Sequence, residues 1–285
     1  MSHDSRVCEL GEGALWHPLR RQFFWFDILG KRLHSIEDGA PRSWSFVEMV
    51  SAAGWVSRDV LLIAGERDLF LFDLETEEIE TLAELEADDP GTRSNDGRAD
   101  RQGGFWIGTM GKRGGDDPGR GAIWRWYRGE LRRLYSGLTI PNSICFSPDG
   151  RFAHFSDTLT HRIQRVALDQ DGWPVGKPET FIDLSAEGIL PDGAVIDAEG
   201  NLWNAQWGAG RVACYAPDGR FLKAVAMGAS QTSCPAFGGD GLSTLYCTSA
   251  REGMDAAALA ADPEAGKTFA VQGLGPGLPE PQVIL

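Results

Sequence analysis

The sequence predicts an all-β chain arranged as a six-bladed β-propeller with four-stranded blades, and three observations carry that reading. Short runs rich in Val, Ile, Phe, Trp and Tyr recur along the 285 residues, separated by Gly-containing turns. Helical periodicity is nearly absent. A polar turn leading into an apolar strand returns at intervals of roughly forty to fifty residues, the size of one propeller blade.

Taken in chain order, strand-like runs lie at residues 22–27, 60–63, 69–72, 105–108, 122–127, 211–215 and 268–271. The one helix-like stretch, residues 254–261, is Ala-rich and stops before Asp262-Pro263. The repeated turn reads Asp100-Arg101-Gln102-Gly103, then Ser147-Pro148-Asp149-Gly150, Asp197-Ala198-Glu199-Gly200 and Gly238-Gly239-Asp240-Gly241. Weaker copies are His17-Pro18-Leu19-Arg20 and Val56-Ser57-Arg58-Asp59. A blade cannot bury both of its faces alone, so such units must pack side by side and close into a ring. The competing architecture is a β-sandwich or two small β domains. No Pro- or Ser-rich linker divides the chain, so residues 1–285 are expected to form a single domain.

Composition narrows the partners. Hydrophobic residues make up 42% and charged residues 24%, as in a globular protein, while the formal net charge of -14 repels phosphate backbones and anionic membranes. Neither nucleic acid nor a membrane is therefore expected as a partner. The first nine residues lack the apolar core of an export signal, and no run approaches the eighteen or so apolar residues of a membrane span. The five cysteines are scattered, odd in number and never form Cys-x-x-Cys, which argues against a disulfide framework and a thiolate zinc site. A reduced, cytoplasmic location is expected. Nothing in the sequence indicates an oligomer, and closed propellers are commonly self-sufficient, so a monomer is expected.

In a propeller, chemistry is sought on the innermost strands that line the channel. Polar residues standing where such a strand should be apolar are Glu12, Asn95, Asp96, Asn142 and Asp192, each shortly before one of the repeated turns. Oxygen ligands converging from several blades suit a hard divalent cation. Singly, each has a blander reading: Asn-Asp-Gly and Pro-Asp-Gly are ordinary β-turn sequences, and Glu12 could lie on the surface. Their shared phase favours the site.

These residues also carry a family resemblance. Gly11-Glu12-Gly13 before Trp16, Phe24-Trp25-Phe26-Asp27-Ile28, Arg93-Ser94-Asn95-Asp96-Gly97, Gly108-Thr109-Met110, Pro141-Asn142 with Phe146-Ser147-Pro148-Asp149-Gly150, Pro191-Asp192-Gly193 through Trp207-Gly208, and Phe237-Gly238-Gly239 with Leu245-Tyr246-Cys247-Thr248-Ser249 recur in that order. Over nearly its whole length the chain resembles the SMP-30/gluconolactonase/luciferin-regenerating-enzyme family, which includes regucalcin. The resemblance implies a six-bladed propeller with one divalent metal in its central channel, held by Glu12, Asn142 and Asp192. Ca²⁺ is the first expectation, with Zn²⁺, Mn²⁺, Mg²⁺ and Fe²⁺ compatible. It further implies that Arg93 and Asn95 contact a sugar substrate and that Asp192 acts as general base. Some animal members place an acidic substrate-binding residue just after Gly-Thr-Met, where this chain has Gly111-Lys112-Arg113.

The implied activity is metal-dependent hydrolysis of a sugar lactone, a small-molecule aldonolactone, to the aldonic acid. In it the metal polarises the carbonyl while Arg93 and Asn95 donate hydrogen bonds. Two other functions fit the same channel: a metal-dependent esterase or phosphotriesterase, and a non-catalytic calcium-binding propeller. The five histidines form no His-x-x-x-His pattern and are not expected to bind the metal; the ten tryptophans are expected in blade packing, with Trp207 a candidate for the channel mouth. The acidic run from Glu75 to Asp89 reads as a solvated outer strand and loop. No Gly-x-Ser-x-Gly or P-loop motif is present.

Overall fold

Each predicted repeat becomes a four-stranded antiparallel sheet in the computed structural model, which describes all 285 residues. Blade 1 runs through Gly11–His17, Gln22–Asp27, Arg32–Glu37 and Ala40–Ser45. Blade 2 comprises Val50–Trp55, Val60–Gly65, Asp68–Asp73 and Ile79–Glu84. Thr92–Ala99, Phe105–Gly111, Gly121–Tyr127 and Glu130–Leu138 form blade 3. Blade 4 holds Pro141–Phe146, Phe152–Asp157, Arg162–Leu168 and Pro174–Asp183. Leu190–Ile196, Leu202–Trp207, Arg211–Tyr215 and Phe221–Ala226 make blade 5. Blade 6 combines Thr232–Gly238, Thr244–Ser249 and Thr268–Gln272 with the N-terminal strand Ser2–Asp4, which pairs outside Thr268–Gln272 and so joins both ends of the chain in one sheet. This closure is the part of the ring the repeat pattern does not reveal.

The first strand of each blade is innermost and packs against the first strand of the next blade, around the full circle. Gly11–His17, Pro141–Phe146 and Thr232–Gly238 are buried along their whole length. The outermost strands are solvated, and the expected acidic one, Ile79–Glu84, is largely exposed. The main hydrophobic clusters lie between blades, not within them. Leu15, Phe24 and Phe26 of blade 1 meet Leu61, Ile63 and Phe70 of blade 2. Trp106 and Ile123 of blade 3 meet Phe146 and Phe155 of blade 4, and Trp203 of blade 5 meets Phe237 and Leu245 of blade 6. Burying such rings contributes roughly 1.5–3 kcal/mol each, so the blades stabilise one another.

The repeated turns have a physical role. Asp100 accepts hydrogen bonds from the amides of Gln102 (3.0 Å) and Gly104 (2.8 Å) and from the Trp106 indole (3.1 Å). Asp197 does the same for Glu199 (3.0 Å), Asn201 (2.9 Å) and the Trp203 indole (2.8 Å). Each carboxylate thus fixes a turn and anchors the tryptophan of the strand that follows. The helix spans Ala256–Ala261, shorter at its start than expected because Asp255 caps it, accepting from the Ala258 amide. No helix is long and apolar enough to cross a membrane.

The C-terminal segment crosses the ring. The Val283 amide donates to the Trp55 carbonyl, the Ile284 amide to Gly103 and the Gly277 amide to Leu242, tying blades 2, 3 and 6 together. Glu280 on this segment forms a buried ion pair with Arg98 of blade 3.

Candidate active site

Every innermost strand breaks register with its neighbour once. The irregularity falls between Glu12 and Leu15, Val50 and Ala52, Ser94 and Gly97, Asn142 and Cys145, Pro191 and Ala194, and Thr232 and Pro235. A bulge re-aims side chains relative to the regular pleat. In blades 1 and 4 the residue after the last paired one is left-handed, Gly13 at φ 57° and Ser143 at φ 58°, and the residue lining the cavity is the one before it, Glu12 or Asn142. In blades 3 and 5 that position is not left-handed and is itself the lining residue, Asn95 or Asp192.

Asp96-Gly97 and Asp192-Gly193 are therefore not turns. Gly97 and Gly193 lie inside innermost strands where neighbours approach closely: a Cβ on Gly193 would stand 2.8 Å from the Ser233 carbonyl oxygen, and one on Gly97 would stand 2.8 Å from that of Trp106. Close packing, not turn geometry, selects glycine there.

Glu12, Arg93, Asn95, Asn142 and Asp192 come together in one cavity of about 380 Å³, further lined by Leu10, Met110, Ile140, Leu159, Leu190 and Trp207, with Lys112, Arg113 and Glu252. Of the candidates read from the sequence all but Asp96 are thus brought together, Trp207 included, and the Lys112-Arg113 pair stands beside them. No histidine lines it. Asp96 is the exception among the polar candidates: it is buried beside the cavity, and its Oδ2 accepts the Ile144 amide at 2.7 Å, fastening blade 3 to the blade 4 bulge.

A chain of hydrogen bonds sets the amide orientations. Thr158 Oγ1 donates to the Pro191 carbonyl (2.8 Å), so it accepts from Asn142 Nδ2 (2.8 Å). That leaves Asn142 Oδ1 to accept from Asn95 Nδ2 at 2.9 Å. Asn95 Nδ2 also donates to the Pro141 carbonyl (3.0 Å), and its Oδ1 accepts from Arg93 (2.8 Å). Both Asn95 amide hydrogens are occupied within the protein, so its contribution passes through Asn142 as much as through a direct contact. Ser143 Oγ and Asn204 Nδ2 donate to the Asp192 carbonyl at 2.5 and 2.9 Å, holding the blade 5 bulge. Thr158, Ser143 and Asn204 were invisible as site residues in the sequence, since their roles are hydrogen bonds to residues distant along the chain.

The electrostatics are those of a cation site. Burial, and then the Asp96 carboxylate, push Glu12 up to about 8. Asp192 is raised well above the ordinary carboxylate range by burial and by Glu12 and Asp96. Neither has an ion-pair partner in the protein, and Arg93, which faces them, is held by Asn95 and the Ser94 carbonyl instead. Clustered buried acids without a counter-charge are costly unless protonated or matched by a cation. Two carboxylates and an oriented amide oxygen form an all-oxygen donor set that fits a hard divalent metal.

A second group of donors, Cys8, Asp27 and His34, lies within 4.8 Å of one another. Its carboxylate is already engaged: Asp27 accepts the amides of Glu9 (3.1 Å), Leu10 (3.1 Å) and Gly30 (3.0 Å). Asp157 anchors Thr139 (2.9 Å) and Ile140 (3.0 Å) in the same way in blade 4. This is a structural anchor shared by blades 1 and 4. Burial of the Cys8 thiol, pushed up to about 12, keeps it protonated.

Fold and site together define a six-bladed propeller with an oxygen-lined axial cavity. Residues 10–251 match the SMP-30/Gluconolactonase/LRE-like region, and the chain belongs to this family. It is 39% identical over 271 residues to an L-arabinolactonase of Azospirillum brasilense, covering 92% of this chain and 88% of that protein. It is 34% identical over 275 residues to a 6-deoxy-6-sulfogluconolactonase of Pseudomonas putida, covering 95% and 94%. Among solved structures, a calcium-binding protein, regucalcin, from Agrobacterium tumefaciens superposes with a TM-score of 0.97 at 41% identity, covering 100% of this chain and 97% of that one.

Proposed function

We infer that this chain hydrolyses a neutral sugar lactone with the help of a divalent metal held by Glu12, Asn142 and Asp192. The reaction class follows from the family: the chain is a hydrolase acting on ester bonds, as are the lactonases it resembles. The observation that carries the mechanism is the convergence of two carboxylates that form no ion pair, one oriented amide oxygen and the Arg93 guanidinium at one cavity. A bound divalent cation supplies Lewis-acid polarisation of the lactone carbonyl and favours the charged form of the surrounding acids.

The chain's own groups do the rest. Asp192 accepts the proton of the attacking water. Arg93 donates to ring hydroxyls or to negative charge developing on the ring oxygen as the ester bond breaks. Asn95 keeps the Asn142 oxygen turned away from Thr158. Leu10, Met110, Ile140 and Trp207 shield the cavity and offer apolar surface to the C–H face of a sugar ring.

The test is proton release from five- and six-carbon aldonolactones, with chelated protein and single metals added back, Ca²⁺ first. We expect metal-restored hydrolysis of one sugar series, its loss in Asp192→Ala, and in Asn95→Ala a raised KM with metal still bound at saturating concentration though with lower affinity. Full metal retention with unchanged activity in both variants would defeat the assignment. The regucalcin neighbour, described as calcium-binding, keeps a second reading open: tight Ca²⁺ binding without hydrolysis of any lactone.

A further inference from the structure

The cavity rim holds three charged side chains, and two of them are already neutralised. Lys112 is paired with Glu66, and Arg113 with Asp117. Glu252 has no hydrogen-bond or ion-pair partner for its carboxylate, although it is exposed on the same rim. Its backbone, in contrast, is held firmly. The Ala250 amide donates to the Gln231 carbonyl (3.0 Å), the Arg251 amide to Glu9 (3.0 Å), and the Met254 amide to Arg251 (3.1 Å). Gln231 Nε2 donates to the Glu252 carbonyl itself at 3.0 Å, and the Arg251 side chain pairs with Glu9. A free carboxylate is thus presented over the cavity by a loop whose backbone is already ordered.

Its position relative to the deeper groups is defined. Glu252 and Arg93 line one cavity, the exposed carboxylate at its rim and the buried guanidinium below it.

We propose that Glu252 is a specificity-determining residue that accepts hydrogen bonds from the hydroxyls of the substrate remote from the lactone carbonyl, and that it disfavours substrates carrying an anion at that end. The assignment rests on the lactonase reading above. A carboxylate accepts from two adjacent hydroxyls at once, which suits a vicinal diol. It stands on blade 6, whereas the rim segment after Gly108-Thr109-Met110 carries Lys112 bound to Glu66. The acidic contact to sugar is supplied from a different part of the ring. A terminal carboxylate or sulfonate placed there would meet the like charge of Glu252, which no protein cation pairs.

The experiment compares the metal-loaded wild type with Glu252→Gln and Glu252→Lys. Substrates are a neutral hexonolactone, the same lactone bearing a terminal carboxylate, and unsubstituted δ-valerolactone. Glu252→Gln is expected to raise KM for the neutral hexonolactone about tenfold, since hydrogen bonds to a charged group contribute more than those between neutral groups. The change should fall mainly on KM, so the preference for hydroxylated lactone over δ-valerolactone shrinks. Glu252→Lys should narrow or invert the preference for neutral over carboxylate-terminated lactone. Unaltered KM and unaltered preferences in both variants, with an active wild type, would overturn the role of Glu252 and leave the lactonase reading standing. If the wild type hydrolyses no lactone, the lactonase reading fails, and calorimetric titration with xylitol decides Glu252 separately. Weaker xylitol binding in Glu252→Gln than in wild type supports the polyol contact; equal binding, or none to wild type, refutes it.

Discussion

Asn142 can present its oxygen to the cavity because Thr158 has committed its only hydrogen to the Pro191 carbonyl and must accept from the Asn142 amide. One hydroxyl at the end of the adjacent strand thereby sets the polarity of a proposed metal ligand. Groups that orient a metal ligand typically change affinity 10–100-fold when removed. Thr158→Val keeps the side-chain shape and abolishes the relay, so we expect divalent-metal affinity to fall about tenfold while the fold is retained. Isothermal titration of chelated protein measures it, and unchanged affinity would show that Asn95 alone suffices to orient the amide. Asn142 itself was legible in the sequence through Pro141-Asn142. Thr158 was not, because a threonine after a strand is unremarkable until the neighbouring blade brings Pro191 to it.

The element that builds the site is the bulge on each innermost strand. Its conformation decides which of two consecutive residues faces the axis. Gly13 shows the constraint most sharply: at φ 57° an added Cβ would run into the Ser51 carbonyl oxygen and the Phe26 ring. Gly13→Ala is expected to cost about 2 kcal/mol or more in stability, from backbone strain and overpacking together, and to displace Glu12. Ser143→Gly at the equivalent left-handed position of blade 4 should relieve strain but lose the hydroxyl bond to Asp192. Urea unfolding with metal-binding assays on both variants separates the two effects. Retained stability and metal binding in Gly13→Ala would mean the bulge can rearrange. The sequence showed Gly11-Glu12-Gly13 as a motif, yet Asn95-Asp96-Gly97 and Asp192-Gly193 also matched turn patterns, since glycine answers to turn geometry and to close packing alike.

At the scale of the whole ring, two long-range features govern stability. Arg98 and Glu280 form a buried pair between blade 3 and the C-terminal segment. Removing one partner leaves a buried charge unmatched, so Glu280→Ala is expected to destabilise by about 3–5 kcal/mol, read as a lowered thermal midpoint. A change within error would mean water reaches Arg98. His154 supplies a pH dependence. Burial, assisted by Arg165, lowers its pKa to about 3, and Phe181 packs on its ring. The unfolded chain takes up that proton near 6.5, whereas the fold resists it. Its contribution is therefore complete above the unfolded value and is lost as pH falls from there towards the folded one. Thermal midpoints should drop on the acid side, and His154→Phe should flatten that limb; an identical slope would assign the acid sensitivity elsewhere, such as to His34, lowered to about 4.

Local chemistry was enough to establish strands, turns, the number of blades and the polar residues that interrupt apolar inner strands, because alternation and turn composition act over a few residues. The family resemblance, carried by motifs kept in order along the chain, added Arg93 and implied that it acts with Glu12, Asn95, Asn142 and Asp192. Folding alone decided that the N-terminal strand would complete blade 6, that Asp96 would bolt two blades together instead of facing the cavity, and that Thr158 and Glu252 would join the site. Those outcomes depend on contacts between residues far apart in sequence. Ring closure creates these contacts by packing each inner strand against its neighbour, and no short stretch of sequence encodes a neighbour it has yet to meet.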